Sequence, residues 1–308
     1  MLTLVKYHGL GNDFLVALDT RAFDEAVEEP VAQEPSGDAV FSGEDWVGDF
    51  ACALCDRHVG VGADGLLILR PANSGGEIRM ELRNADGSHA ETSGNGLRCF
   101  ALAAIEAGIV PGPEVLIETD AGLRKAVLRH QFVPGPAEVS VEMGSVKVRA
   151  LDPVSDALLP ESKSVPWPAW FVDAGNPHLV VLAPSLAGVA VAAVGPAFEK
   201  LRSGGQNVEI ATREPGGGDL SIVIWERGTG VTLACGSGSV AAAAALHSAG
   251  MVADRVHVHN PGGTAQVTLS GDDPLAIDAE LQGPVQRVCR VEVDPDELGE
   301  TGGIAGPW

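Results

Sequence analysis

Basic residues are scarce in this chain: 20 Lys and Arg stand against 42 Asp and Glu, a formal charge of −22 at pH 7. Such a field repels nucleic acid and anionic membrane surfaces and favours solubility. It says little about a small zwitterion, whose binding a few local groups decide. Long apolar runs are missing as well. The most apolar stretch, Val240–Leu246, is far too short to span a bilayer. Met1–Val16 is broken by Lys6, His8, Asn12 and Asp13, unlike a secretory leader, so a cytoplasmic location is expected. The five cysteines (Cys52, Cys55, Cys99, Cys235 and Cys289) are odd in number and scattered, which points to thiols in a reducing compartment. Cys52 and Cys55 have redox spacing, yet they lie in an Ala/Leu-rich helical stretch and read as core. No Walker A motif and no close-spaced set of metal ligands occurs. Gly60-Val61-Gly62-Ala63-Asp64-Gly65 resembles a degenerate dinucleotide fingerprint, but the apolar strand Leu66–Leu69 follows where a helix is needed, so it reads as a tight turn. His58, beside Arg57 and far from any nucleophile motif, reads as surface. No cofactor and no metal are expected.

Hydrophobic residues make up 45% and charged residues 20% of the 308 positions, enough for a full core in one large or two ordinary domains. The most informative feature is internal. Shifted by 142 positions, Ser93-Gly94-Asn95-Gly96 falls on Cys235-Gly236-Ser237-Gly238. Both segments run into Ala-rich helices, Leu97–Ala107 and Ser239–Ala249, followed by Gly108 and Gly250, the residue expected just past a helix C-terminus. Val115–Leu128 and Val256–Leu269 then each read as strand, Gly-containing turn, strand. Upstream, Gly11-Asn12-Asp13-Phe14-Leu15-Val16 pairs with Gly175-Asn176-Pro177-His178-Leu179-Val180 at a shift of 164. The larger shift fits an exposed Glu-, Asp-, Pro- and Gly-rich insertion over Arg21–Trp46. Met80–Asn84 and Ser221–Glu226 read as strands that deliver polar residues just before the Gly-rich turns. Val139–Met143 and Trp170–Asp173 mark the passage between halves, and the acidic tail after Val293 reads as surface. Matches repeated in the same order predict an α/β (α+β) protein of two pseudo-symmetric halves with a cleft between them.

A Gly-rich turn opening a helix presents unpaired N–H groups and the positive end of the helix dipole. It suits a carboxylate or phosphate, and it favours the thiolate of a cysteine placed there. Two such ends facing one another could hold an α-carboxylate between them while one side chain from each half flanks the α-carbon. Inverting a stereocentre needs that geometry: a proton leaves one face and another arrives on the opposite face. The helix amides would stabilise the charge that develops on the carboxylate.

Several motifs, in order along nearly the whole chain, resemble the diaminopimelate epimerase family: Tyr7-His8-Gly9-Leu10-Gly11-Asn12-Asp13-Phe14, Asn84-Ala85-Asp86-Gly87-Ser88, Gly94-Asn95-Gly96-Leu97-Arg98-Cys99, Gly175-Asn176-Pro177-His178, Asn207-Val208-Glu209, Glu226-Arg227-Gly228, Ala234-Cys235-Gly236-Ser237-Gly238 and Pro261-Gly262-Gly263. The resemblance implies interconversion of LL- and meso-2,6-diaminopimelate, a step toward lysine and cell-wall precursors. It implies two domains, each a strongly curved sheet or barrel around a central helix, and a homodimer. The halves would be residues 1–132 with 284–308, and 133–283, the first completed by strands near Val285–Val293. By the same resemblance Cys235 is one catalytic thiol with Glu226 as its polar partner, and His178 pairs with the other acid/base. Asn12, Asn84, Asn176, Asn207 and Arg227 hold the distal amino-acid end of the substrate, and Gly94, Asn95, Gly236 and Ser237 supply donors to the reacting α-carboxylate. One cation for the distal carboxylate and carbonyl-type acceptors for the distal ammonium is also what bare chemistry asks of that end.

The family's other thiol falls at Ser93, where this chain has a hydroxyl. Cys99, about two helical turns further on, is no substitute. A thiol titrates near ~8.5, whereas a serine hydroxyl is a far poorer proton carrier unless activated. Three readings stand side by side: a working hydroxyl polarised by His178 and the helix end, an engineered Cys→Ser change that traps substrate, or a binding paralogue with one-sided chemistry. An epimerase or racemase of another amino acid on the same fold is a further alternative. Gly65 stands where some family members place a polar side chain near the substrate, a lesser departure.

Overall fold

A computed structural model of the chain describes residues 1–19, 45–132, 135–154, 167–271, 273–295 and 298. The insertion expected at Arg21–Trp46 lies outside them except at its end, where Trp46 opens a helix. Most of the tail expected after Val293 also lies outside them.

Among the described residues, sixteen strands make one continuous sheet. In chain order they are β1 (Leu2–Gly9), β2 (Asn12–Ala17), β3 (Gly65–Arg70), β4 (Ile78–Asn84), β5 (His89–Ala90), β6 (Glu114–Thr119), β7 (Gly122–Gln131) and β8 (Ala137–Val154). The second half contributes β9 (Trp167–Asp173), β10 (Pro177–Leu182), β11 (Asn207–Arg213), β12 (Leu220–Glu226), β13 (Gly230–Thr232), β14 (Arg255–Asn260), β15 (Gly263–Ser270) and β16 (Ile277–Val293). Four helices are described: α1 (Trp46–Cys55), α2 (Gly94–Glu106), α3 (Val191–Glu199) and α4 (Gly236–Ser248).

Two extra pairings, β8 with β16 and β11 with β12, close the sheet on itself twice. The first ring runs β8-β7-β6-β4-β3-β2-β1-β16 and the second β16-β15-β14-β12-β11-β10-β9-β8. The two long strands β8 and β16 belong to both. β16 pairs with β15 up to Gln282 and with β1 from Gln286, so the chain's last long strand does complete the N-terminal half. β8 pairs with β7 up to Val141 and with β9 from Lys147.

Each ring encloses one helix. α4 touches all eight strands of the second ring and α2 most of the first. Val240–Leu246 is fully buried on every side, as a helix inside a barrel must be, and its run of Ala keeps the helix thin enough for the sheet to close around it. Both helices end where expected, on Gly108 and Gly250 with φ of 71° and 67°, the left-handed conformation that glycine adopts without a Cβ clash. Outside the rings the repeat persists. The crossover from β2 to its parallel neighbour β3 carries α1, whose Phe50 and Leu54 cover Leu15 and Ile68. The crossover from β10 to β11 carries α3, whose Val194 and Phe198 cover Val181 and Ile210. Cys55 is part of the α1 core, and His58 is exposed. The turn over Gly60–Asp64 leads into β3, not a helix. β4 and β12, 142 positions apart, show the same alternation of buried and half-buried residues.

Candidate active site

The two helix starts meet head to head. Ser93 is the N-cap of α2 and Cys235 the N-cap of α4, each in extended backbone with φ of −143° and −125°. Their side chains do the same local work: Ser93 Oγ accepts the Gly96 N–H at 3.1 Å and Cys235 Sγ the Gly238 N–H at 3.3 Å. Gly94 and Gly236 touch across the gap. A Cβ on Gly236 would lie 3.0 Å from the Gly94 Cα and 3.1 Å from the Asn95 nitrogen, and one on Gly94 would lie 3.3 Å from the Gly236 Cα. Leu281 of the shared strand β16 lies against both positions, 2.7 and 2.9 Å from such carbons. Any side chain here would drive apart the amides that face the cleft, so both positions need glycine.

The surroundings of the two N-caps differ sharply. Beside Cys235, Glu226 accepts the Thr232 hydroxyl at 2.6 Å, and Cys235 Sγ lies 3.5 Å from the Ser237 hydroxyl. Burial pushes the Glu226 carboxyl up to about 7, helped by the neighbouring Glu209 and opposed by its Thr232 and Cys235 hydrogen bonds. The Cys235 thiol is raised well above its ordinary value, first by burial and then by the Glu226 and Glu209 carboxylates. The expectation that the helix start favours a thiolate is therefore reversed. The Gly238 N–H and Ser237 hydroxyl do pull the other way, but desolvation and two carboxylates outweigh one helix end. Cys235 rests as a thiol.

His178 also stands apart from its expected role. It is fully buried, with Nδ1 2.9 Å from Glu209 Oε1 and Nε2 2.8 Å from Asn176 Oδ1. Glu209 lies against the first turn of α4, where a Cβ on Gly238 would meet its Oε1. The imidazole thus backs the Cys235 half, while Ser93 Oγ has only the Gly96 N–H among the described residues. A polarising His178–Ser93 hydrogen bond is not formed. The repeat makes the contrast plain. The shift of 142 sets Leu67 on Glu209, Asn84 on Glu226 and Ala90 on Thr232, and the shift of 164 sets Phe14 on His178. Every group that can trade a proton near Cys235 has a partner near Ser93 that cannot.

Asn12, Asn84, Asn176, Asn207, Glu226, Arg227, Gly94, Gly236 and Ser237 line one cleft with Ser93 and Cys235. Asn95 and His178 sit behind its wall. Asn207 Oδ1 accepts the Arg227 N–H at 2.9 Å, and the Arg227 guanidinium reaches the Gly204 carbonyl at 3.2 Å, which sets an exposed cation at the cleft mouth. Asn95 Nδ2 donates to Asn12 Oδ1 at 3.0 Å and to the Ala234 carbonyl at 3.3 Å, tying the halves together. Asn12 Nδ2 donates in turn to Asp64 at 2.7 Å. Asp64, Thr92 and Thr232 line the cleft too, and sequence reasoning passed them over. Asp64 was hidden in a turn read only for its glycines. Glu209 had a signal: two residues after Asn207 on β11, it shares that residue's face.

Glu226→Gln separates chemistry from stability. A carboxyl raised from 4.5 to about 7 keeps its proton in the folded chain while the unfolded chain loses it, so stability falls as pH rises from about 4.5 to about 7. At about 1.4 kcal/mol per unit the cost is at most on the order of 3–4 kcal/mol. The variant should lose proton-transfer rate by about 10²-fold or more. Its melting temperature relative to the parent should climb across that pH window in paired thermal melts, and a flat difference would contradict the buried-carboxyl argument.

Comparison with known proteins shows the family and the fold. The family model described as diaminopimelate epimerase matches residues 4–148 and 170–288. Diaminopimelate epimerase of Moorella thermoacetica is 33% identical over 301 residues, covering 93% of this chain and 97% of that one. The enzyme of Prochlorococcus marinus is 35% identical over 288 residues, covering 88% and 86%. Among solved structures, a probable proline racemase from Agrobacterium radiobacter with bound carbonate superposes with a TM-score of 0.70 at 19% identity, covering 97% of this chain and 96% of that one. A hydroxyproline epimerase from Agrobacterium vitis with bound trans-4-hydroxy-L-proline gives 0.64 at 19% identity, covering 95% and 90%. At such identities these two share the fold.

Proposed function

This chain belongs to the diaminopimelate epimerase family, and we propose that it interconverts LL- and meso-2,6-diaminopimelate by passing protons across the α-carbon between Cys235 and Ser93. The reaction is an isomerisation on the route to lysine and cell-wall precursors. The observation that carries the reading is the head-to-head meeting of two helix starts, each capped by a side chain with an exchangeable hydrogen. An α-carboxylate seated on the Gly94–Asn95 and Gly236–Ser237 amides places its α-carbon between the two caps. The amides then stabilise the charge that moves onto the carboxylate when the α-proton leaves.

On the Cys235 face the thiol gives its proton to the α-carbon as protonated Glu226 passes its own to the sulfur; in reverse, sulfur takes the α-proton as the thiol's own proton passes to ionised Glu226. On the other face Ser93 Oγ gives its hydroxyl proton to the α-carbon, or takes the α-proton as its own hydroxyl proton passes to water in the cleft that Asp64 and Glu91 also line. The distal carboxylate meets Arg227, and the distal ammonium meets the carbonyl oxygens of the Asn side chains with the Asp64 carboxylate near Asn12. The division of the chain at 132/133 and 283/284 belongs to the same proposal. The change of partner along β16 between Gln282 and Gln286 supports the second boundary, while β8 leaves β7 only after Val141. A homodimer, implied by the family resemblance, and a cytoplasmic location, which suits five free cysteines, complete the proposal. No helix among the described residues is long and apolar enough to cross a membrane.

The test is LL-diaminopimelate incubated with the purified chain in deuterium oxide, followed by chiral chromatography and mass spectrometry. Formation of the meso isomer with deuterium at the inverted centre is expected. Arg227→Ala should raise KM at least about tenfold, because it removes a charge-assisted contact. Activity confined to amino acids without a distal carboxylate would overturn the substrate assignment. Ser93 favours one second reading, a diaminopimelate-binding paralogue; binding by calorimetry without any deuterium uptake would establish it.

A further inference from the structure

Arg98 is fully buried in the first ring, yet only one of its guanidinium nitrogens has a partner. Nη2 donates to Asn95 Oδ1 at 2.7 Å, while Nε and Nη1 have no hydrogen bond among the described residues. A buried cation with so few hydrogen bonds, eased by the field of Glu138 but without an ion pair among the described residues, is costly and calls for an explanation. Room is made for it on both sides. A Cβ on Gly9 of β1 would lie 3.0 Å from Nη2, and one on Gly283 of β16 would lie 3.3 Å from Cζ. Burial pulls the guanidinium down to about 10, so it stays charged at neutral pH.

Its position gives that charge a direction. Arg98 is one turn into α2, and helical side chains lean toward the N-terminus, as its bond to Asn95 shows. Asn95 in turn donates to Asn12 and to the Ala234 carbonyl next to Cys235. Its own backbone nitrogen belongs to the paired helix starts. The residue 142 positions on from Arg98 is Val240, so the α4 start has no such cation. The α4 half carries the buried Glu209 and the half-buried Glu226 carboxyl, where the α2 half has Leu67 and Asn84. A cation therefore backs one helix start and carboxyl groups back the other.

We propose that Arg98 is a positioning residue for proton transfer: through Asn95 it holds the two helix starts together, and its charge favours the carboxylate as that group becomes more negative. This rests on the reading that an α-carboxylate occupies the paired starts. A charge that matters only when the α-proton leaves acts on kcat, whereas ground-state binding acts on KM. Loss of a preorganised electrostatic partner lowers kcat by about 10²–10³.

The test compares Arg98→Met and Arg98→Lys with the parent by α-deuterium uptake from diaminopimelate, with KM, pH–rate profile and melting temperature recorded for each. Arg98→Met should lose about 100-fold or more in kcat with KM within about threefold. The alkaline limb of its profile should move upward, because the positive charge that favours ionisation of the proton-donating group is gone. Arg98→Lys should recover at least about tenfold of that loss without a matching gain in melting temperature. Equal losses in both variants, or parental kcat in folded Arg98→Met, would overturn the proposal. Should Arg98→Met fail to fold, Arg98→Lys decides alone: kcat within about tenfold and an unmoved alkaline limb support it, and a 100-fold loss with the charge kept refutes it. A parent chain that exchanges no deuterium at all would instead defeat the functional reading itself.

Discussion

Cys235→Ala should abolish α-proton exchange, with a loss of at least about 10³-fold in both directions. The sulfur caps the helix start on which the α-carboxylate sits, and the half-buried Glu226 carboxyl acts through it. Glu226 cannot replace it, because removing Sγ leaves a gap between that carboxyl and the α-carbon. The fold should barely notice. The Gly238 N–H loses a weak sulfur acceptor, worth no more than about 1 kcal/mol for an N-cap of this kind. Deuterium uptake from both stereoisomers, measured beside a melting curve, separates the two effects. Cys235→Ser sharpens the contrast. Serine is the better N-cap, so that variant should melt no lower than the parent while losing nearly as much rate. Retention of full epimerisation by Cys235→Ala would refute the mechanism outright.

Ser93→Cys should raise the epimerisation rate by on the order of 100-fold, since a thiol is a far better proton carrier than an unassisted hydroxyl. The hydroxyl at Ser93 is unassisted: Phe14, Leu67, Asn84 and Ala90 stand where the other half has His178, Glu209, Glu226 and Thr232. A thiol at that N-cap lacks the carboxylates that push the Cys235 thiol up, and it keeps the helix N–H groups. The substitution exchanges a strong cap for a weak one, so the melting temperature should fall by a few degrees for about 1 kcal/mol lost. Faster turnover in a less stable chain is the expected pair of results. Parity in rate would mean that Ser93 is activated in the substrate complex by a group that the open cleft holds elsewhere.

What could be read in advance from the residues was what repeats locally. The caps at Ser93 and Cys235, the Ala-rich helices and their terminal glycines are set by spacing and backbone preference within a few positions. They appear in the structure at the same shift of 142. The closure of the sheet into two rings was beyond such reading, because it depends on β8 with β16 and β11 with β12, pairings that no local pattern announces. The site was legible in its lining and not in its electrostatics. Cys235 looked like a thiolate because helix ends favour anions; only the packed structure shows how dry its surroundings are and that two carboxylates share them. His178 was assigned to Ser93 because Glu209, its actual partner, lies on another strand and was read for its neighbour Asn207. Arg98 escaped notice because an arginine on a helix is usually solvated.

The sharing of β8 and β16 by both rings has a consequence for how the chain is made. The first ring begins with β1 at Leu2 and closes only when Gln286–Val293 comes back to it. The second ring needs the other end of that strand, Gln266–Ser270 pairing with Asp278–Gln282. During synthesis, therefore, neither enclosed helix can be sealed from water until nearly the whole polypeptide has left the ribosome. Pairings this distant along the chain favour slow folding. Until β16 arrives, the interval is one in which unpaired strand edges are open to wrong partners and to the chaperones that cover them.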